Sequence, residues 1–225
     1  GVAAAVVGGV DADEVAADLD GLAVTVTPLF HALGTEQLVE SLAIQRLIVD
    51  QTVEFAAGTP VHVGPITLRP RFNDVATGPQ PTPVHDDLRD GYGAQFTGAD
   101  DARQDAQELT AWVVASAAAL AIDGVETLSW FEEWGPRGLH DTDGTPRPGA
   151  AAVAALASLT GSTLWHGSSP DGLVWAIGGE RADTATVLVA NLDRSPRAVT
   201  VTTPFGTLHT TAAPGAHSAH VLENN

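Results

Sequence analysis

Two adjacent carboxylates follow an apolar segment in the stretch VETLSWFEEWGPRG. Its apolar and β-prone residues predict a buried strand that runs directly into Glu132 and Glu133, with Trp130 and Trp134 on either side. Strand alternation predicts that Trp130 shares a face with Glu132. Acid beside aromatic surface is typical of sugar-handling sites, where a carboxylate acts as a base or stabilises developing positive charge. A strand end that simply meets solvent has the same pattern, so both interpretations stay open.

A second polar group follows an earlier apolar run, PVHVGPITLRPRF. Arg69 and Arg71 are two residues apart, so on a continuing strand they share one face with Asn73. Guanidinium groups offer planar donors that suit the carboxylate or hydroxyls of a sugar acid. Pro70 restricts Arg69 to extended geometry, which favours a fixed presentation. Structural ion pairs with the many acids of the chain are the competing interpretation.

A histidine, His31, ends the apolar run LAVTVTPLFHAL on the face that it shares with Thr27. It is a candidate general acid or base, or a partner for a substrate hydroxyl, and equally a structural residue. No metal site is predicted, since His217 and His220 in HSAH would fall on opposite faces of a strand and GGVDADE lacks the acids of a calcium loop. A G-x-S-x-G elbow is also absent from the sequence, which disfavours an α/β-hydrolase.

Composition narrows the function classes further. The 225 residues carry a formal charge of −18, from 28 acids against 10 basic residues that are all arginine, and they include no cysteine. Binding to nucleic acid or to an anionic membrane needs basic surface and is not expected. The absence of lysine excludes Schiff-base chemistry and a P-loop, and the absence of cysteine excludes thiol chemistry. No long apolar run and no basic leader are present, so we expect a cytoplasmic protein.

The elements that position these residues alternate in the first two thirds of the chain. Strands are predicted at Val2–Val7, Ala23–Leu29, Val61–Leu68 and Thr127–Phe131. Helices are predicted between them, at Thr35–Gly58 with Thr35 as N-cap and at Ala102–Gly124. This order predicts parallel strands joined by crossover helices. From Thr163 on, short strands and turns predict an antiparallel β-module, too short for a full two-sheet sandwich of about 100 residues. We expect a division into 1–160 and 161–225.

Several segments carry a family resemblance. TLRPRFN followed by ATGP is the most specific of them, and TPLFHALGTEQLVESLAIQ, AWVVASAAALAIDGVETLSWFEEWGPRG and TVLVANLDRSPRAVTV support it. From about Val6 to its end, the chain resembles the C-terminal part of the D-apionate lactonase family, which is related to glycoside hydrolases with a TIM barrel.

The resemblance implies the C-terminal half of a TIM (β/α)8 barrel, with about strands five to eight, followed by a small antiparallel β-domain. A closed barrel takes about 250 residues. Strands one to four would therefore lie outside this sequence, and the missing N-terminal half or another chain would be needed to close the barrel. Glu132 matches the acid that ends the last strand of the family, and Glu133 matches less well.

The activity that the resemblance implies is hydrolysis of a sugar-acid lactone, such as D-apionolactone, to the open aldonic acid in carbohydrate catabolism, with no cofactor. Glu132 would orient or deprotonate water, while Arg69, Arg71 or His31 would hold the carbonyl and hydroxyls. Further substrate-binding candidates are Asn73, Trp130 and Glu133.

Two other functions remain open. The first is a glycoside hydrolase on the same barrel. In the related glycosidases the nucleophile ends strand seven, where this chain has RPRFN and no acid. The second is a non-catalytic fragment.

Overall fold

The computed structural model describes residues 19–30, 32–70 and 100–223. The predicted strand Val2–Val7 lies outside these ranges. Three parallel strands, β1 (Leu22–Val26), β2 (Val61–Ile66) and β3 (Val125–Trp130), form one sheet in the order β1-β2-β3. They confirm three of the predicted strands as parallel neighbours. Because the strands are parallel, their carboxyl ends lie at one edge of the sheet.

Helix α1 (Thr35–Ala56) connects β1 to β2. The predicted N-cap is wrong by one residue, because Gly34 is the extended cap residue and Thr35 is already helical. The buried stripe of the helix includes Leu38, Leu42 and Val49. The helix ends where Ala57 takes a left-handed conformation, with φ of 48°.

The predicted continuous helix Ala102–Gly124 is wrong, because the chain forms a 3-10 helix (Ala102–Asp105) and then helix α2 (Leu109–Leu120). The Asp101 side chain accepts a hydrogen bond from the Arg103 backbone and caps the short helix, and Ala106 is extended. All 12 residues of α2 are buried. Its alanine-rich surface lets α1, helix α3 (Pro148–Ala157) and the C-terminal strands pack closely around it.

Two short strands, β4 (Glu132–Trp134) and β5 (Gly138–His140), follow β3 and pair in parallel. The C-terminal strands are β6 (Thr163–Ser168), β7 (Val174–Arg181), β8 (Thr184–Asn191), β9 (Arg197–Thr203), β10 (Gly206–Ala212) and β11 (Ala216–Glu223). Four of them form an antiparallel sheet in the order β11-β8-β7-β6, and β9 and β10 form a hairpin.

The antiparallel sheet contributes to two cores, as strand alternation allows. Trp175, Ile177 and Leu188 join the core around α2, whereas Val174 and Val187 pack in a second cluster toward the hairpin. The predicted antiparallel strands are therefore confirmed, while the division into two domains stays a prediction. Within the described ranges, no helix has the length and apolar character needed to cross a membrane.

Candidate active site

A backbone reversal separates the two halves of SWFEEW. Phe131 has φ of 57°, in the left-handed region, so β3 ends at Trp130 and Glu132 begins β4. The prediction that Trp130 and Glu132 share one face of a strand is therefore wrong, because strand alternation does not continue through Phe131. Trp130 is buried and lines a groove formed by β3, α3 and β6, and Glu132 does not line that groove.

Glu132 instead forms an ion pair with a buried arginine. The distance from its Oε1 to Nε of Arg137 is 3.2 Å. Arg137 is 5% exposed, and its Nη1 also lies 3.9 Å from Oδ1 of Asp100. Burying a guanidinium is costly unless carboxylates compensate it, so the two acids hold this cation in place.

The turn WGPRG positions Arg137 opposite Glu132. Gly135 has φ of 91°, which favours glycine, and its carbonyl accepts a hydrogen bond from the Gly138 backbone N–H at 2.9 Å. A Cβ on Gly138 would lie 2.4 Å from the backbone of Trp134. Both glycines are therefore required for this turn. The carbonyl of Gly138 also accepts a hydrogen bond from the buried Gln104 side-chain amide at 3.2 Å.

Arg69 connects the end of β2 to the same cluster. Its Nη1 donates to the backbone carbonyl of Asp100 at 2.9 Å, and the Asp100 carboxylate faces Arg137. The hydroxyls of Thr27 and Thr67 lie 3.0 Å apart and connect the ends of β1 and β2. The cluster thus spans the carboxyl ends of the strands.

Asp101 and Arg103 form a second ion pair next to it, with an oxygen–nitrogen distance of 2.6 Å. Burial raises the pKa of Asp101, but hydrogen bonds from the Arg103 side chain and backbone, with the charges of Arg103 and Arg69, hold that pKa below its ordinary value. Arg103 also donates to the Leu33 carbonyl at 2.8 Å, which fixes the loop that precedes α1.

Arg147 completes the cationic side of the cluster. It pairs with Asp105 and donates to the Gly135 carbonyl at 3.3 Å. Four of the ten arginines in a chain of charge −18 therefore gather near the carboxyl end of the sheet. They are Arg69, Arg103, Arg137 and Arg147. Each of them pairs with or donates to an acidic residue of the same cluster, so a ligand here would meet guanidinium donors and carboxylates together, a combination that suits hydroxyl groups.

Of the other sequence candidates, Glu133 lies in the described part of the chain and three do not. Glu133 is exposed, and its backbone carbonyl accepts from Nδ1 of His140 at 3.1 Å. His31, Arg71 and Asn73 lie outside the described residues. The structure therefore brings Glu132 and Arg69 into one cluster and places Trp130 elsewhere.

Sequence reasoning missed Arg137, Asp100 and Gln104. A signal for Arg137 was present, since it stands between Pro136 and Gly138 in a turn five residues after Glu132. Asp100 and Gln104 come from the segment before α2, and only the fold brings them to β4 and β5. Among the described residues, no group of three or more histidines and carboxylates has an arrangement that could hold a metal ion.

A sequence-family model described as D-apionate lactonase, TIM barrel domain, matches residues 14–161, more than half of the chain. The chain has no significant match among curated proteins. Among solved structures, SrfJ from Salmonella typhimurium is similar with a TM-score of 0.52 and 12% identity, over 93% of this chain and 42% of that chain. At that identity the likeness bears on the fold alone.

Two weaker likenesses are to glycoside hydrolases. An endo-β1,6-glucanase has a TM-score of 0.49 and 10% identity, over 92% of this chain and 41% of that chain. A GH30 endoxylanase from Clostridium papyrosolvens has a TM-score of 0.43 and 10% identity, over 92% of this chain and 66% of that chain. The chain therefore spans 41% of the glucanase and 42% of SrfJ. With the family match, the fold is mixed α/β, with a TIM-barrel-like domain before an antiparallel sheet.

Proposed function

The chain belongs to the D-apionate lactonase family, and we propose that it contributes to the active site of a carbohydrate-active hydrolase that opens a sugar-acid lactone to the aldonic acid. One observation carries the proposal. Glu132 is held against the buried Arg137 at the carboxyl end of β3, and that end of the strands carries the chemistry in TIM barrels.

In the proposed reaction, Glu132 accepts a proton from a water molecule, and the water oxygen forms a bond to the lactone carbonyl carbon. The carbonyl becomes an oxyanion, which guanidinium donors stabilise. The ring C–O bond then breaks, and the proton passes from Glu132 to the leaving alkoxide oxygen. The ion pair with Arg137 holds the Glu132 side chain in a fixed position for this proton transfer.

The remaining substrate contacts are assigned by position. We propose that Arg69 binds the hydroxyls or carbonyl of the lactone, because its guanidinium is held by the backbone carbonyl of Asp100, the residue whose carboxylate faces Arg137. His31, Arg71 and Asn73 remain part of the proposal as further donors. Trp130 stays a proposed sugar-stacking residue only for a ligand that reaches the groove between β3, α3 and β6, which Trp130 lines and Glu132 does not.

A glycoside hydrolase is the second candidate, and one observation favours it. Asp100 and Glu132 both face Arg137, and glycosidases use a pair of carboxyl groups that flank the scissile bond. Against this alternative, Arg69 rather than an acid follows β2.

The test uses the protein as its gene encodes it, with aldonolactones in one series and nitrophenyl glycosides in the other. The proposal expects lactone opening that is lost in Glu132→Gln. Glycoside cleavage that depends on both Asp100 and Glu132, with no lactone opening, would establish the alternative instead.

A further inference from the structure

A pocket of about 600 Å³ is lined by helices α1 and α2 together with two connections of the C-terminal strands. Its walls come from the first turns of α1, the segment that leads into α2, the loop between β8 and β9, and the turn between β10 and β11. Glu132, Arg137 and Arg69 do not line it, and Arg103 is the member of their cluster that does. The pocket is therefore adjacent to the candidate active site but separate from Glu132.

The floor of the pocket is apolar and fixed. It is formed by Leu38, Leu109 and Trp112, which are all buried. The Trp112 indole N–H donates to the Leu38 carbonyl at 3.0 Å, which holds the ring in one orientation. Leu192 and Pro214 add apolar surface from the C-terminal strands. The floor suits the apolar part of a ligand, and the volume lies within the range of about 300–1,000 Å³ that small-molecule sites occupy.

The walls from the C-terminal strands are anchored without filling this space. The buried Asn191 holds the loop between β8 and β9, since its side-chain amide donates to the Ser195 carbonyl at 2.9 Å and its Oδ1 accepts from the Asp193 backbone N–H at 3.0 Å. The turn between β10 and β11 packs on the start of α2, because a Cβ on Gly215 would lie 2.5 Å from Cγ of Glu108. Protein interiors contain few voids larger than a water molecule. A space of this size between anchored walls is therefore a preformed cavity.

Four charged side chains line the pocket, and two of them already have partners. Arg103 and Asp193 are each held in an ion pair with a residue that does not line the pocket. The other two, Glu108 and Arg194, are exposed, and neither side chain has a hydrogen-bond or ion-pair partner within the described part of the chain. The pocket therefore presents one carboxylate and one guanidinium beside an apolar floor.

We propose that this pocket binds a free α-amino acid with a large apolar side chain. The ammonium group would pair with Glu108, the carboxylate with Arg194, and the side chain would lie on the apolar floor. A ligand with a single charge would cover one of these two groups without pairing it, at a cost in desolvation. A simple carboxylate would also be repelled by a chain with a formal charge of −18, whereas a zwitterion has no net charge.

Isothermal titration calorimetry with three ligands tests the proposal in the protein as its gene encodes it. L-Phenylalanine carries both charges, N-acetyl-L-phenylalanine lacks the ammonium group, and L-phenylalaninamide lacks the carboxylate. We expect phenylalanine to bind at least about tenfold more tightly than either derivative, because each derivative loses one charged pair. Equal affinities for the three ligands, or no saturable binding of phenylalanine up to about 10 mM, would overturn the proposal.

Variants of the lining residues locate the binding. Glu108→Gln should remove the preference for phenylalanine over its N-acetyl derivative and keep the preference over the amide, and Arg194→Gln should do the reverse. Both readouts are ratios within one variant, so a partial loss of folded protein does not change them.

Val39→Phe narrows the pocket from α1 and should weaken phenylalanine binding at least about tenfold. Glu126→Gln is the matched control for Glu108→Gln, since Glu126 is an exposed glutamate that does not line the pocket. Unchanged preferences in both charge variants, or the same change in Glu126→Gln, would overturn the proposal. The result does not depend on which reaction the protein catalyses.

Discussion

At the residue scale, Glu132 and Arg137 act as one unit. The guanidinium is 5% exposed and lies 3.2 Å from the Glu132 carboxylate, so neither side chain can be changed without affecting the other. The pair also explains why two adjacent glutamates differ. Glu132 turns toward Arg137, and Glu133 is exposed.

Removing the cation should destabilise the fold. Arg137→Gln takes the positive charge from beside Glu132 and Asp100, and we expect the free energy of unfolding to fall by about 1–3 kcal/mol, less than for a fully buried pair because both acids keep some exposure. Urea unfolding measures it. Arg194→Gln changes an exposed arginine and should leave the midpoint nearly unchanged; equal effects would mean that the Arg137 pair contributes nothing specific.

The sequence was sufficient to predict Glu132 and Arg69 as polar groups at strand ends. It could not predict the position of Trp130, because a single residue, Phe131, takes a left-handed conformation that ends the alternation. Nor could it predict Asp100, whose approach to Arg137 depends on the packing of distant segments.

At the element scale, the turn between β4 and β5 decides whether Arg137 reaches Glu132. Gly138→Ala would place a Cβ 2.4 Å from the Trp134 backbone, so we expect a loss of about 1–3 kcal/mol in unfolding free energy, together with lower activity. Gly167→Ala is the control, since its Cβ would meet nothing within 4 Å. Thermal melts of both variants measure the effect, and a Gly138→Ala protein as stable as the control would refute this account of the turn.

A second prediction concerns the turn before β9, where Arg197 pairs with Asp171 and Asp193. Hydrogen bonds from Ser169 and Arg197 lower the pKa of Asp171 to about 2. The pKa of Asp193 is also lowered, chiefly by its hydrogen bond from Arg197. Depressed carboxylate pKa values contribute stability above the ordinary value of about 4, and this contribution is lost as pH falls toward 2.

Arg197→Gln should therefore flatten the acid limb of a melting-temperature profile between pH 4 and pH 2, while Arg194→Gln leaves the limb steep. An unchanged slope in Arg197→Gln would show that other acids set the acid sensitivity.

The segment before β3 shows that helix propensity alone did not predict the helix boundaries. The sequence from Ala102 to Gly124 has continuous helical character. The chain nevertheless forms a separate 3-10 helix, capped at its start by Asp101, and α2 begins only at Leu109. The Asp101 cap is a local interaction between residues two apart, but the burial of α2 between two sheets is a tertiary effect that helix propensity does not register.

At the scale of the whole molecule, α2 joins the two sheets through one core. Its 12 buried residues pack against α1, α3, β7 and β8. The parallel arrangement of the first strands was predictable from their alternation with helices, and the antiparallel character of the C-terminal strands from short strands separated by turns. The shared core was not, because strand patterns do not show which face meets which helix.

Residues 1–225 expressed alone should associate and show no turnover, because β3 is an edge strand in the sheets that the structure describes and an apolar groove lies beside it. Light scattering and the lactone assay measure both properties. A monodisperse monomer with a cooperative melt and lactonase activity would contradict this expectation.

The most direct test of the central claim compares Glu132→Gln with Glu133→Gln in the protein as its gene encodes it, with an aldonolactone as substrate. Both changes keep the side-chain shape and remove one charge, so each serves as the control for the other. If Glu132 is the base, its variant should lose turnover by a factor of roughly 10² or more, and Glu133→Gln should remain close to the unmodified protein. The opposite ranking, or near-normal turnover in both, would contradict a catalytic role for Glu132.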